Sequence, residues 1–264
     1  MSQTKSKNSE STPRVTLVLN CTNPQREDWV KERLPAAKVL SSSNKTVDSD
    51  EIRVVATDQR IELWDDQTPH GRGTFVDFSN IDTRTGTGNL GKNQPLRKAI
   101  GERARSVIDA TAGFGQDTVL LACMGFEVTA FERNPVVATL LADGLVRAKQ
   151  TKALIEPISR VQLVVADTKQ SLPQFTPSPD VIYIDGMFPL KRSKSALSKK
   201  PMRLARRLVG EDSDLPELLK VARRHAALRV VVKRPRGVTP LGDGVSARIK
   251  TKLVTYDIYP TAPN

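Results

Sequence analysis

The sequence predicts an α/β fold in which helices cover both faces of a parallel β-sheet, preceded by a small β-rich unit. Two observations support the sheet. After residue 99, short and continuously apolar segments alternate with helical segments, which is the pattern of buried parallel strands. Acidic residues and glycines follow the ends of these strands, at the edge where open α/β sheets bind their ligands.

The composition indicates a basic chain with enough apolar residues to build a core. Its 264 residues suit one large domain, or one domain with a small appendage. It contains 41 Lys and Arg against 29 Asp and Glu, a net charge of +12, and such an excess attracts polyanions. Nucleic acid, an anionic membrane surface and solubility alone are all compatible with this charge.

The sequence predicts neither a membrane span nor a metal site. No apolar run reaches the roughly 18 residues that a membrane span needs. Cys21 and Cys123 are far apart in the chain and have no metal-ligand spacing, which fits a reducing, cytoplasmic compartment. His70 and His225 are isolated from other metal-binding residues in the sequence.

The N-terminal part is predicted to be a polar tail followed by a β-rich domain. Residues 1–12 lack the apolar segment of a secretory signal, so we expect a disordered tail. Over residues 13–82, short apolar runs separated by turn-forming residues predict a small β domain with a hairpin across residues 57–59. Its predicted strands are 15–19, 52–56, 61–64 and 75–78.

Residues 83–98 form a predicted glycine-rich linker, because glycines recur there without apolar periodicity. A plain connection and a mobile lid over a ligand, within 83–94, are both consistent with this composition. Residues 99–264 are the predicted α/β domain. Its expected strands are 106–110, 127–131, 161–165, 181–184, 228–232 and 252–259. Its expected helices are 118–124, 135–148 and 215–226.

A nucleotide-like ligand is predicted to bind where the first of these strands ends. The segment that begins at Asp109 contains Gly113 and Gly115, and glycines there let the backbone turn tightly and approach a ligand closely. Glu132 ends the next strand, 17 residues after Gly115, which is a spacing typical of an acid that binds ribose hydroxyls. Acidic residues also follow the third and fourth strands: Asp167 and Asp185.

The same segment favours S-adenosylmethionine over a nicotinamide dinucleotide. The dinucleotide motif G-x-G-x-x-G needs a third glycine, and Thr118 occupies that position. Asp117 brings a negative charge to the start of the helix, where it repels a pyrophosphate and suits the positively charged amino-acid part of S-adenosylmethionine. S-adenosylmethionine is therefore the expected cofactor, and a nicotinamide oxidoreductase is the alternative.

The loop after the fourth strand predicts chemistry on an exocyclic amine. Residues 185–189, Asp-Gly-Met-Phe-Pro, resemble the D/N-P-P-Y/F loop of methyltransferases that modify adenine or guanine amino groups. Such an amine is a poor nucleophile, because its lone pair is delocalised into the ring. A carboxylate can accept its hydrogens and an aromatic ring can stack on the base, so Asp185 and Phe188 are the predicted catalytic residues. A plain turn with Phe188 in the core is the structural alternative.

A basic run follows this loop, with no carboxylate between residues 191 and 207. We predict that it contacts RNA phosphates; a solvated face is the alternative interpretation. Its members are Lys191, Arg192, Lys194, Lys199, Lys200, Arg203, Arg206 and Arg207. Further positive charge comes from Arg223, Arg224, Lys233, Arg234 and Arg236.

Several segments resemble the ribosomal RNA small subunit methyltransferase J family, over about residues 75–259. The segments that carry the resemblance are 75–78, 109–113, 132–138, 187–189 and 230–235. The resemblance implies a Rossmann-like class I S-adenosylmethionine-dependent methyltransferase fold with a small N-terminal β domain. It also implies methylation of the exocyclic N2 of one guanosine in 16S rRNA of the 30S small ribosomal subunit, in the bacterial cytoplasm.

The resemblance also implies further cofactor-binding residues. Together with Asp109, Gly113 and Gly115 they make up the predicted cofactor site. The family's positions fall on Gln116, Asp117, Glu132, Arg133, Asp167, Thr168 and Asp185. The chain departs from the family at Gln116, where arginine is common, at Asp167 and Thr168, where serines are common, and at Gly186, where proline is expected. Glycine loosens a loop that proline would hold. A non-catalytic RNA-binding or assembly factor with a relic cofactor site therefore stays an alternative, as does amino-methylation of another nucleic acid.

Overall fold

The computed structural model describes two β-sheets with their helices. The described residues are 13–40, 47–68, 73–84, 88, 90–188 and 200–262. The predicted tail, residues 1–12, and the first part of the predicted basic run, residues 191–199, lie outside them. No helix in the described part of the chain is both long enough and apolar enough to cross a bilayer.

The N-terminal sheet has four strands in the order β2-β1-β3-β4. Its elements are β1 (Arg14–Asn20), α1 (Pro24–Arg33), β2 (Lys38–Leu40), β3 (Glu51–Thr57) and β4 (Ile61–Trp64). β1 pairs in parallel with β2 and β3, and β3 forms the predicted antiparallel hairpin with β4. The strand predicted at 75–78 is wrong, because Thr74 alone forms a β-bridge there, to Leu63.

Helix α1 lies in a stretch for which the sequence analysis predicted no helix. The side chain of Asn23 caps its start by accepting a hydrogen bond from the backbone N–H of Gln25 at 3.0 Å, and Pro24 occupies the first turn. The helix carries many charged residues and buries only Val30. Because it has almost no apolar periodicity, its capping residues were the signal that could have identified it.

The second sheet has seven strands in the order β10-β11-β9-β8-β5-β6-β7. They are β5 (Ser106–Asp109), β6 (Glu127–Glu132), β7 (Val161–Val165), β8 (Val181–Ile184), β9 (Arg229–Pro235), β10 (Ala247–Lys250) and β11 (Val254–Pro260). β5 to β9 are mutually parallel, and β11 runs antiparallel to both β9 and β10. All six predicted strands are present, and β10 is an additional edge strand.

Seven α-helices accompany this sheet within the described residues. They are α2 (Pro95–Ile100), α3 (Gln116–Cys123), α4 (Pro135–Ala148), α5 (Ile155–Ser159), α6 (Thr168–Ser171), α7 (Lys200–Val209) and α8 (Leu215–His225). The three predicted helices correspond to α3, α4 and α8. Asn134 caps α4 by accepting hydrogen bonds from the backbone N–H groups of Val136 and Val137 at 3.0 and 3.2 Å.

A buried aspartate on α4 joins the two sheets. The side chain of Asp143 is 1% exposed and accepts hydrogen bonds from Arg26 of α1 at 2.6 Å and from Arg147 at 2.9 Å. It also accepts one from the backbone N–H of Ile61, where β4 begins, at 3.1 Å. Apolar residues of the N-terminal sheet and of α4 form one continuous core cluster around this joint, so the first sheet packs directly on the second.

We expect Asp143→Ala to lower the free energy of unfolding by about 3 kcal/mol, because it removes the partner of two partly buried guanidinium groups. Urea denaturation of the purified protein measures this change. The exposed Asp28 of α1 provides a matched control, since Asp28→Ala should change stability by less than about 0.5 kcal/mol. Equal stability of the two variants would contradict the role of Asp143 in joining the sheets.

Candidate functional site

A cleft opens at the carboxyl edge of the seven-stranded sheet. The space between its walls is about 660 Å³, including open solvent at its mouth. The loops that follow β5, β6, β7 and β8 line it, and residues of α7 and α8 close one side. The predicted site residues in its lining are Gly113, Glu132, Arg133, Asp167, Thr168 and Asp185.

Glu132 shapes the glycine loop as well as lining the cleft. Its carboxylate accepts hydrogen bonds from the backbone N–H of Gly113 at 2.9 Å and of Asn134 at 2.7 Å. Burial raises the pKa of Glu132, although these two N–H groups act in the opposite direction. Gly113 has φ of +55°, and a Cβ there would meet no atom nearer than the Thr111 carbonyl oxygen at 3.9 Å. The loop therefore leaves open space beside the carboxylate.

Asp109 and Gly115 support this loop from behind and do not line the cleft. Asp109 is buried and accepts hydrogen bonds from the Thr118 hydroxyl at 2.6 Å and the Thr111 backbone N–H at 3.3 Å. Burial, together with the charges of nearby carboxylates, raises the pKa of Asp109 to about 7. Gly115 has φ of +75°, and a Cβ there would lie 2.4 Å from a methyl carbon of Leu141, so only glycine fits.

Gln116 and Thr168 also connect neighbouring segments. The side-chain amide of Gln116 donates a hydrogen bond to the Asp77 carbonyl at 3.1 Å and is absent from the cleft lining. The Thr168 hydroxyl donates to the Ala110 carbonyl at 2.7 Å. Asp167 caps α6 by accepting a hydrogen bond from the Lys169 backbone N–H at 2.9 Å. The Thr168 contact thus links the start of α6, after β7, to the residue that follows β5 across the intervening β6.

Lys233 is a site residue that the sequence analysis placed only among the extra basic charges. β8 and β9 pair in parallel with Ile184 opposite Val232, so the next residues, Asp185 and Lys233, emerge side by side. The Lys233 ammonium lies 2.8 Å from Oδ2 of Asp185 and 2.6 Å from Oδ2 of Asp117. A lysine directly after a run of buried valines was the signal that could have identified it.

Lys233, Asp185 and Asp117 form a charged cluster, and the ionisation of each affects that of the others. Burial raises the pKa of Asp185 to about 6; the Lys233 ammonium opposes this rise and the Asp117 carboxylate adds to it. Burial lowers the pKa of Lys233, but Asp185 and Asp117 together hold it well above its ordinary value. The Tyr183 hydroxyl donates a hydrogen bond to Asp117, and burial keeps the pKa of this tyrosine far above its usual range. Lys233 is therefore the cation of the cluster at neutral pH.

The loop after β8 is held by tertiary contacts at Gly186, where the resemblance predicts proline. A Cβ on Gly186 would lie 2.3 Å from a methyl carbon of Leu215 on α8, so the close approach of this helix requires glycine. Asp212 accepts a hydrogen bond from the Met187 backbone N–H at 2.7 Å and donates its own N–H to the Met187 carbonyl at 3.3 Å. Glycine at position 186 makes this loop more flexible than proline would, and the two hydrogen bonds of Asp212 restrain it.

Phe188 lies in the core. Its ring is 5% exposed and belongs to an apolar cluster with Leu215 and Leu218 of α8. This placement agrees with the structural alternative for Phe188, and stacking on a base would require the ring to leave the cluster. Base stacking by Phe188 stays a prediction.

Arg133 pairs with the connection between α7 and α8. Its guanidinium lies 2.5 Å from a carboxylate oxygen of Asp212 and 2.8 Å from one of Asp214. Lys169 lies 2.9 Å from Asp214 and 2.8 Å from Glu217. These ion pairs hold the acidic connection against the cleft, so Arg133 positions one wall of the site.

The described arginines of the basic run make intramolecular contacts. Arg203 and Arg207 lie 2.7 and 3.4 Å from a carboxylate oxygen of Asp65, which is buried at the end of β4. Arg206 donates a hydrogen bond to the Phe188 carbonyl at 3.2 Å. The structure does not describe Lys191, Arg192, Lys194 and Lys199, nor the side chain of Lys200. The described members thus join α7 to the N-terminal sheet and to the loop after β8.

Comparisons with known proteins identify relatives along most of the chain. The SAM-dependent methyltransferase family model matches residues 39–261. Ribosomal RNA small subunit methyltransferase J of Thioalkalivibrio sulfidiphilus is 46% identical over 189 residues, which cover 66% of this chain and 74% of the relative. The protein of the same name from Cronobacter sakazakii is 45% identical over 218 residues, covering 80% of this chain and 86% of the relative.

A solved structure shares the fold. The crystal structure of a SAM-dependent methyltransferase from Neisseria gonorrhoeae aligns with a TM-score of 0.67 and 27% identity, covering 93% of this chain and 96% of the other. The alignment therefore includes both sheets. It supports the predicted class of fold, a Rossmann-like sheet of the methyltransferase type.

We expect the stability of the wild-type protein to fall as pH rises from about 4 to 7, in part because of Asp109. Its pKa of about 7 in the folded chain exceeds the ordinary 3.8, so across this range the folded state retains a proton that the unfolded state has lost. Asp109→Asn removes this contribution, and the fall in unfolding free energy should be smaller by a few kcal/mol. Urea denaturation between pH 4 and 8 measures it, with Asp28→Asn as the control. Identical pH profiles for Asp109→Asn and wild type would refute the buried titration.

Proposed function

We propose that this chain, which belongs to the ribosomal RNA small subunit methyltransferase J family, methylates the exocyclic N2 of a guanosine in 16S rRNA. Membership of the family makes it a S-adenosylmethionine-dependent methyltransferase, as the sequence predicts. The observation that carries the finer proposal is the position of Asp185. It directly follows the central strand β8 and lines the cleft, and its side chain is 35% exposed, so a substrate can reach it.

The cleft residues fit the adenosine part of the donor. Gly113 leaves the cleft open beside the Glu132 carboxylate, where ribose hydroxyls can donate hydrogen bonds. Phe131 and Val137 lie beneath the cleft wall, each 1% exposed, and Asp167 belongs to the same lining. We assign Glu132 to the ribose and Asp167 to the purine end. The donor supplies a methyl group on positively charged sulfur.

We assign Asp185 to the target amine. An exocyclic guanine amine donates hydrogen bonds, and a carboxylate accepts them only in its ionised form. With a pKa raised to about 6, Asp185 is mostly ionised at neutral pH and still basic enough to take up the proton that the nitrogen loses. The Gly186-Met187 backbone follows directly and is held by Asp212, so a carbonyl acceptor has a defined position beside it.

The contacts of the loop also favour an active enzyme over a non-catalytic RNA-binding factor. The departure at Gly186 is matched by the packing of Leu215 and by the two hydrogen bonds of Asp212, so the loop keeps an anchor. The relatives are named for ribosomal RNA of the small subunit, and the net charge of +12 suits a polyanionic substrate. We therefore propose 16S rRNA within the 30S subunit as substrate, and the cytoplasm as the place of action.

We expect Asp185→Asn to reduce methyl transfer at least about 100-fold, because the amide cannot take the proton. The assay measures methyl incorporation from labelled S-adenosylmethionine into 30S subunits from cells that lack this modification. Mass spectrometry of the released nucleosides identifies the product. Asp28→Asn should keep full activity. Wild-type activity in Asp185→Asn would overturn the role of Asp185, and a methylated adenosine as product would overturn the assignment to guanine.

A further inference from the structure

Lys233 contacts the proposed catalytic carboxylate and one further carboxylate. Its ammonium bridges Oδ2 of Asp185 and Oδ2 of Asp117, and its side chain is largely buried. The ammonium occupies one oxygen of Asp185, and the cleft borders the same carboxylate. Lys233 therefore sets the orientation of Asp185 while leaving the second oxygen outside this contact.

We infer that Lys233 is a positioning residue for methyl transfer, which holds Asp185 in its ionised form and aims it at the target amine. The inference rests on the proposed function, since it needs Asp185 to accept the amine's hydrogen. Lys233 itself does not exchange the proton, because its two carboxylate partners hold its ammonium charged.

The surroundings of Asp185 explain why a cation is needed there. Asp117 on α3 adds negative charge on one side of Asp185, and Asp109 on β5 interacts with both of these carboxylates. Tyr183 on β8 and Tyr256, which lies opposite Lys233 on β11, remain neutral because burial raises the pKa of each, that of Tyr256 to about 12. Without the ammonium, Asp185 and Asp117 would repel each other, and one of them would hold a proton at neutral pH.

In the proposed reaction, Asp185 accepts a proton from the target amine while Lys233 stays charged beside it. The lone pair of the guanine nitrogen forms the new N–C bond, and the C–S bond breaks with its electron pair on sulfur. The nitrogen then carries one proton too many, which passes to Asp185 and from there to solvent. A protonated Asp185 could neither accept the amine's hydrogen bond nor take up this proton, so the charge of Lys233 decides the pH range of the reaction.

We expect opposite shifts from two variants. Lys233→Met removes the cation at similar length, so the acid limb of the kcat–pH profile should move up by at least one pH unit. Activity at pH 7 should fall at least about twofold, which is the loss expected when the limb moves from about pH 6 to pH 7, and should recover near pH 9. Asp117→Asn removes a like charge and should move the same limb down. Lys233→Arg keeps the charge and should stay near the wild-type limb.

Carboxyl ¹³C NMR titration of Asp185 in the same variants reads its ionisation without any RNA. Thermal unfolding checks that each variant is folded. If the wild-type protein does not methylate 30S subunits, the proposed function is wrong. The NMR titration still shows whether the charge of Lys233 controls the ionisation of Asp185. An unshifted titration of Asp185 in folded Lys233→Met, or a uniformly lower kcat with an unmoved acid limb, would show that Lys233 is only a structural contact.

A separate observation concerns the surface beside this cluster. β9 and β10 both end, and β11 begins, at the carboxyl edge of the sheet. The turns there expose three cations, Arg236, Lys250 and Lys252, around Leu253, which is 75% exposed. The Arg236 backbone N–H donates to the Leu253 carbonyl at 2.9 Å, which joins the two turns into one surface. We name these four residues the basic edge.

We propose that the basic edge contacts RNA phosphates that flank the target base. Arg236 directly follows the end of β9, three residues beyond Lys233, which corresponds to about 10 Å of extended chain. The segment from Lys250 to Leu253 contains no carboxylate. The described arginines of the predicted basic run have intramolecular partners, so the basic edge offers cations that are better placed for a polyanion.

We expect the double variant Lys250→Glu, Lys252→Glu to bind a 16S rRNA fragment at least tenfold more weakly. The slope of log affinity against log salt should shrink by about 1.5, for two lost phosphate contacts. Affinity for S-adenosylmethionine should not change. Lys149→Glu, Lys152→Glu makes the same charge change after α4, at the opposite edge of the sheet. Filter binding measures the RNA affinity of both double variants without requiring methylation. An equal loss of RNA affinity in both would refute a specific role of the basic edge.

Discussion

The site depends on the compensation of negative charge at one edge of the seven-stranded sheet. Parallel strands bring their carboxyl ends together, and three acidic residues near these ends interact electrostatically: Asp109 at the end of β5, Asp117 in the first turn of α3, and Asp185 after β8. Burying like charges is costly unless donors or a cation meet them. Thr118 and Tyr183 supply hydroxyl donors, and Lys233 supplies the cation. The pKa values of Asp109 and Asp185 reflect how much of this compensation each of them receives.

Buried carboxylates that are compensated by cations also join the N-terminal sheet to the rest of the molecule. Asp143 on α4 and Asp65 after β4 are both buried, and each accepts hydrogen bonds from two arginines. The pair at Asp65 fixes α7, whose Arg206 contacts the Phe188 carbonyl. The N-terminal sheet therefore helps to position the loop after β8, although it does not line the cleft.

The predicted cofactor set divides into residues that line the cleft and residues that shape it. Glu132 does both, because its carboxylate binds backbone N–H groups of the glycine loop at the cleft wall. Asp109 and Gly115 act behind the loop, where burial and a left-handed backbone make them hard to replace. In this chain Asp109 and Gly115 therefore determine the shape of the loop, while Glu132 also lines the cleft.

The sequence by itself determined the α/β pattern, most strands of both sheets, and the acidic residues at the strand ends, because these depend on local periodicity and on a fixed topological rule. Only the tertiary structure decided that Lys233 meets Asp185, that Asp212 anchors the loop containing Gly186, and that Phe188 is buried. Those contacts join residues 25 or more positions apart or depend on how closely α8 approaches β8. Local patterns carry no information on such distances, since packing of the whole sheet sets them.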